Sequence, residues 1–300
     1  MLLKDFLNEG VTRLEPLYPT KEARSIVLML CESRIGTKSY THIVEPEYQI
    51  KDKALEGLNS DLDRLASGEP VQYVIGFADF CGLRFKVTPD VLIPRPETEL
   101  LCREAIKIGS RMQRMRKAYG KSARPVRVLD LCTGSGCIAW TVALNIPGAE
   151  VTGVDISEKA IEVAKGQDFA IKQKEDEVTP PKFVTADILS EPQSFAEGEY
   201  DLILSNPPYI MESQKSQMRA NVLNFEPSTA LFVKDENPLE FYRSIAKISK
   251  ERLASEGKGM TEINELLGLE TSKVFSDAGF SKTEVVKDFY DKNRFVFYSK

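Results

Sequence analysis

Histidine and tryptophan occur once each in the 300 residues, and no two of the five cysteines form a CxxC pair. His42 with Cys31, Cys81, Cys102, Cys132 and Cys137 cannot assemble a zinc constellation at normal spacing, so no metal is expected. The odd cysteine count predicts free thiols, and His42 is too isolated to serve as a catalytic base. Long apolar runs are also missing. None approaches the roughly 18 residues that a membrane span needs, and MLLKDFLNEG lacks the apolar centre of a signal peptide. A cytoplasmic protein is expected. Basic excess is absent too. The net charge of −5 argues against nucleic acid as the main partner, since phosphate binding favours basic surfaces. One local basic run stands out, comprising Lys107, Arg111, Arg114, Arg116, Lys117, Lys121 and Arg124. It reads as a solvated helix face and its following loop, with a docking surface as the alternative.

What is present is the ordinary mix of a globular protein, 42% hydrophobic and 28% charged. Residues 1 to about 75 predict helices. One starts near Thr20 and stops at Gly36; another, over Lys51 to Ala66, carries Leu55, Leu58, Leu62 and Leu65 on a single stripe. Residues 71–93 turn β-favouring, through Val71, Tyr73, Val74, Phe77, Phe80, Leu83, Phe85 and Val87, and predict a hairpin. After Pro94 and Pro96 a helix starts at Glu97.

From about residue 126 strands and helices alternate. The strands are Val126–Leu131, Glu150–Asp155, one beginning at Phe183-Val184, and Asp201–Leu204. This pattern predicts an α/β fold with a parallel sheet covered by helices. Asp130-Leu131-Cys132-Thr133-Gly134-Ser135-Gly136 lies between the first strand and its helix, where glycines let backbone amides approach a ligand. Asp155, nineteen residues past Gly136, ends the next strand and can accept hydrogen bonds from a ribose diol. Gly134-x-Gly136-x-x-Ala139 also fits a nicotinamide-dinucleotide fingerprint, and the turn alone does not decide.

Ser205-Asn206-Pro207-Pro208-Tyr209 is more discriminating. Two prolines cannot continue a central strand, so the segment lies past the strand's carboxyl end, where open α/β sheets bind ligands. The Asn206 oxygen and the Pro207 carbonyl could each accept one hydrogen of a planar NH₂ group, with Tyr209 stacked on it. That aims the nitrogen at an activated methyl group. In-line transfer of this kind depends on orientation, which can be worth roughly 7–11 kcal/mol. A nicotinamide enzyme has no use for such an element.

Taken with Glu69–Gly76, Leu92-Ile93-Pro94-Arg95-Pro96-Glu97-Thr98-Glu99 and Phe225-Glu226-Pro227-Ser228-Thr229-Ala230-Leu231, these motifs make the chain resemble the release-factor glutamine methyltransferases of the HemK/PrmC type over nearly its full length. The resemblance implies a helical substrate-recognition domain over 1–75 and a β-hairpin linker over 76–92. A Rossmann-like, seven-stranded S-adenosylmethionine-dependent methyltransferase domain would cover 93–300. It implies N5-methylation of the glutamine in the Gly-Gly-Gln motif of peptide chain release factors, with S-adenosylhomocysteine as product. Cys132, Thr133, Gly134, Ser135 and Gly136 would line the methionine part of the cofactor. Asp155 would hold the ribose, Asp187 and Ile188 would border the adenine, and Ile156 would also bind the cofactor. Asn206, Pro207, Pro208 and Tyr209 would hold the substrate, with Asn206, Pro207 and Tyr209 in the catalytic roles and Asn206 also beside the cofactor. Ile93 to Glu97 would flank the pocket.

Two positions depart from the family pattern. Cys132 replaces a glycine, which is acceptable only if its backbone needs no positive φ. Gly257–Asn264, with Lys258 and Gly259, is a poor strand where the family has an apolar one. Two other functions remain: an amino-group methyltransferase acting on adenine in nucleic acid, and an inactive cofactor-binding or release-factor-binding protein.

Overall fold

The computed structural model describes residues 1–118, 124–170, 178–190 and 195–300. The chain divides into two compact units, one of Met1–Phe77 with Met218–Phe225, the other of Ala78–Gln217 with Glu226–Lys300.

The first unit packs α1 (Leu3–Leu14), α2 (Thr20–Ile35), α4 (Asp52–Ala66) and α5 (Val71–Ile75) around Phe6, Leu7, Val27, Leu30, Leu58 and Leu62, with the single-turn α3 (Thr41–Val44) beside them. Gly36 ends α2 in the left-handed conformation, φ 70°, as a helix C-terminus favours. The unit also holds α9 (Ala220–Phe225), preceded by Arg219, whose guanidinium donates to Glu22 at 2.7 Å. His42 is paired with Arg24, whose Nη2 lies 2.8 Å from Nε2; a guanidinium can only donate, so Nε2 accepts and the ring proton sits on Nδ1.

Residues 71–75 correct the expectation of β structure. Pro70 presets the entry at φ −57°, its carbonyl accepts from Tyr73 and Val74, and Gly76 closes the turn at φ 88°. Burial of Val71, Val74 and Ile75 in the helical core outweighs their β preference. The hairpin begins only with β1 (Phe77–Phe80) and β2 (Leu83–Lys86). Its two-residue loop has positive φ at both Cys81 and Gly82, the backbone of a tight hairpin turn.

The second unit is a seven-stranded mixed sheet in the order β10-β11-β9-β6-β3-β4-β5. Its members are β3 (Arg127–Leu131), β4 (Glu150–Asp155), β5 (Lys182–Thr185), β6 (Tyr200–Ser205), β9 (Leu253–Glu262), β10 (Lys282–Lys287) and β11 (Asn293–Ser299), while β7 (Ile210–Met211) and β8 (Phe232–Val233) form a separate parallel pair. The strands from β5 to β9 are parallel, while β11 runs antiparallel to both β9 and β10. Helices α6 (Thr98–Ala118), α7 (Cys137–Asn145), α8 (Glu158–Lys165), α10 (Glu240–Arg252) and α11 (Gly268–Asp277) accompany the sheet. Strand order reverses between β3 and β6, which opens a crevice at their carboxyl ends.

The poor strand is a strand after all. A Cβ at Gly259 would lie 1.9 Å from the Tyr298 ring, so the glycine that weakens the local pattern is what admits that ring. Tyr298, directly opposite in register, stacks on Phe275 at 4.0 Å and meets Ser249 Oγ at 2.8 Å. The basic run is not uniformly solvated either. Arg116 and Arg124 both turn onto Asp201, at 2.5 and 2.7 Å; Lys121 lies outside the described residues. No helix among the described residues is long and apolar enough to cross a membrane.

Candidate active site

A cavity of about 500 Å³ lies in the second unit, walled by the ends of β3, β4, β5 and β6 and by residues 90–98 and 227–234. It brings together Cys132, Thr133, Gly134, Ser135, Asp155, Ile156, Asp187, Ile188, Asn206 and Pro208. Gly136, Pro207 and Tyr209 are not on its wall.

The turn after β3 is built by its own polar atoms. Thr133 N donates to Val154 O at 2.9 Å and its hydroxyl to Asp130 Oδ2 at 2.5 Å. Gly136 sits at φ 77° with Ala164 and Phe183 each 3.0 Å from where a Cβ would be, so only glycine fits. Burial pushes the Asp130 carboxyl up to about 7, with the Asp155 charge adding to it and the Thr133 hydroxyl and Ala139 amide opposing.

Cys132 corrects the condition set from sequence. Its backbone does take the left-handed conformation, φ 61°, at a cost of about 1–2 kcal/mol for a residue with a Cβ. Its side chain lines the cavity without closing it. Burial and the carboxylates of Asp155 and Asp130 push the thiol well above its ordinary range, so it remains neutral.

Asp155 accepts from Gly134 N at 2.8 Å through one oxygen and from Ser157 N at 3.0 Å through the other. Each oxygen keeps a lone pair for a ligand hydroxyl. Asp187 instead shapes its own turn, accepting from Leu189 N and Ser190 Oγ at 2.9 and 2.7 Å. Ile156 and Leu189 are apolar wall residues left 62% and 43% exposed, surface that a flat aromatic ligand would cover. An adenosine-bearing cofactor fits this donor set.

Asn206 Nδ2 donates to Thr98 Oγ1 at 3.2 Å, and the Thr98 hydroxyl donates to Glu262 Oε2 at 2.6 Å. Tyr209 donates its phenol proton to Glu262 Oε1 at 2.9 Å, and its carbonyl accepts from Asn264 Nδ2 at the same distance. Burial raises both the Tyr209 phenol and the Glu262 carboxyl; the hydroxyls of Thr98 and Tyr209 and the Arg294 charge restrain the latter. Arg95 lies on the wall and pairs at 2.7 Å with buried Glu226, which also accepts from Ile93 N. Thr98, Glu226 and Glu262 escaped the sequence reading as site residues. Thr98 and Glu226 lay inside quoted motifs, but nothing in a sequence tells which hydroxyl or carboxylate they meet. Glu262 lay inside the segment that read as a poor strand.

Residues 5–76 match the PrmC N-terminal domain and residues 123–266 a methyltransferase domain. The chain is 36% identical over 94% of its length to the release factor glutamine methyltransferase of Bacteroides thetaiotaomicron, covering 95% of that protein. It is 34% identical to that of Flavobacterium psychrophilum, over 99% of this chain and 98% of that one.

The chain belongs to the release factor glutamine methyltransferase family.

Among solved structures, the hMettl16 catalytic domain in complex with MAT2A 3'UTR hairpin 1 shares the fold, with a TM-score of 0.52 at 14% identity over 83% of this chain and 81% of that chain. In this chain the glycine-rich turn follows β3 and the Asn-Pro-Pro-Tyr segment follows β6, the two strands that flank the reversal of order.

Proposed function

We propose that this protein transfers a methyl group from S-adenosylmethionine to the side-chain amide nitrogen (N5) of the glutamine in the Gly-Gly-Gln motif of peptide chain release factors, in the cytoplasm. One observation carries the reading: Asn206, after β6, shares a single cavity with the turn after β3 and with Asp155. The relatives named above support the choice of a release factor over nucleic acid.

S-adenosylmethionine, when bound, supplies a sulfonium-activated methyl group. Residues 132–136 would hold its methionine part, Asp155 its ribose hydroxyls, and Ile156, Asp187 and Ile188 would border its adenine. Asn206 Oδ1 and the Pro207 carbonyl would accept the two amide hydrogens of the glutamine, and Pro208 and Tyr209 would complete its binding. Acceptance of both hydrogens orients the nitrogen lone pair and favours the charge that develops as the new bond forms. The helical unit, residues 1–75 at its core, would recognise the release factor.

The test uses labelled S-adenosylmethionine with a release factor, with its Gly-Gly-Gln glutamine substituted, and with DNA or RNA. Label on the intact factor alone supports the proposal; label on nucleic acid, or on the substituted factor, overturns it. Asn206→Ala is expected to lower kcat by about 100-fold or more while leaving cofactor Kd nearly unchanged. Near-normal turnover would remove Asn206 from its role.

A further inference from the structure

A side-chain amide can be turned either way, and only one orientation of Asn206 is useful. With Oδ1 toward the substrate it accepts a hydrogen; with Nδ2 there, two donors face each other. Nothing within the Asn206 side chain decides between these states, so the decision comes from what it touches.

Thr98 touches it. A hydroxyl has one proton, and the Thr98 proton goes to Glu262 Oε2 at 2.6 Å. The Thr98 oxygen therefore offers only lone pairs to Asn206, which must answer with Nδ2, at 3.2 Å. Glu262 is bound by the same logic. It is 1% exposed, and its other oxygen accepts from Tyr209 at 2.9 Å. A carboxylate with both oxygens accepting cannot return a proton to Thr98. We infer that Thr98 and Glu262 are positioning residues, a proton-ordered relay that locks the Asn206 amide with its oxygen free for the substrate nitrogen. The inference rests on the role proposed for Asn206.

The relay makes an unusual demand on an isosteric change. In Glu262→Gln one oxygen becomes an NH₂ group. If the remaining oxygen serves Thr98, the buried phenol proton of Tyr209 has no acceptor, at about 1–3 kcal/mol. If it serves Tyr209, the new NH₂ donates to Thr98, the Thr98 proton turns toward position 206, and Asn206 satisfies it by flipping. Every group is then paired and the amide is wrong for catalysis. A carboxylate with a merely structural role would be mimicked well by glutamine.

The experiment measures kcat, cofactor Kd and melting temperature for Glu262→Gln, Thr98→Val and Thr98→Ser in the full-length protein. Glu262→Gln should lose about 100-fold in kcat, with Kd for S-adenosylhomocysteine changed less than about threefold and cooperative melting retained. Thr98→Val should lose about tenfold, and Thr98→Ser should recover most of that loss. A Glu262→Gln variant within about threefold of the parent, or a serine variant no better than valine, overturns the inference. A second measurement needs no substrate. The nuclear Overhauser effect from the Asn206 amide protons to Thr98 Hβ should be present in the parent protein and lost in Glu262→Gln; its persistence in Glu262→Gln overturns the inference. If the parent methylates no release factor, the proposed function fails, and this signal still judges the relay.

Discussion

Cys132 shows how much a single residue can carry in a turn. Its φ of 61° belongs to the region where a Cβ is penalised, yet the turn forms because Thr133 and Gly134 are pinned to Val154 and Asp155. Replacement should follow backbone preference. Cys132→Gly is expected to stay within about 1 kcal/mol of the parent, relief of strain offsetting the extra freedom of the unfolded chain. Cys132→Val, with a branched Cβ at positive φ, should lose about 2 kcal/mol or more. Thermal unfolding of the two variants checks the order, and a valine variant as stable as the glycine one would contradict it. At this scale the sequence was legible where local chain chemistry fixes a position, as with Asn206, which two prolines put past a strand end and which lies on the cavity wall after β6. It was not legible where the use depends on a partner far along the chain. Thr98 and Glu262 are 164 residues apart, and their hydrogen bond exists only once α6 and β9 are in place.

Among elements, β9 is the informative case. Local propensity argued against it, because glycine weakens a strand and lysine prefers an edge. The strand nevertheless lies between β6 and β11, and its weakest residue makes room for Tyr298. Gly259→Ala should therefore destabilise the protein by about 3 kcal/mol or more through overpacking, far beyond the effect of alanine in an open strand. Tyr298→Ala should remove most of that extra penalty, so the pair should be strongly non-additive in denaturant unfolding. Additive effects would mean that the ring is not what excludes a Cβ. The central strands β3 and β6 were legible because their apolar runs are buried on both faces. The helix at Val71–Ile75 was not, since burial rather than propensity decides it.

On the scale of the whole molecule, buried charge sets the response to acid. Asp201 is 2% exposed; burial alone would raise its carboxyl, but Arg116, the Arg127 amide and Arg124 hold it below the usual range. A carboxylate depressed in the folded state adds stability above its unfolded pKa of about 3.9, and that stability is lost as pH falls through the lower folded value. Asp201→Asn should thus lose about 2 kcal/mol at neutral pH. This is less than a fully buried pair would lose, because the Arg124 side chain is 46% exposed. The deficit should shrink progressively as pH falls below about 3.9 in urea titrations. A deficit independent of pH would assign the loss to packing instead.

The first unit claims Met218–Phe225 from the middle of the second unit's sequence, so the backbone passes between units at 77/78, 217/218 and 225/226. A module joined by one tether can be cut off, swapped or inherited separately; one that borrows a stretch of its neighbour's chain cannot. Deleting the first 77 residues would orphan that stretch right beside Glu226, which braces Arg95 and Ile93. The two units are in this respect covalently interleaved, and a shortened chain would leave residues 218–225 without the unit they fold with.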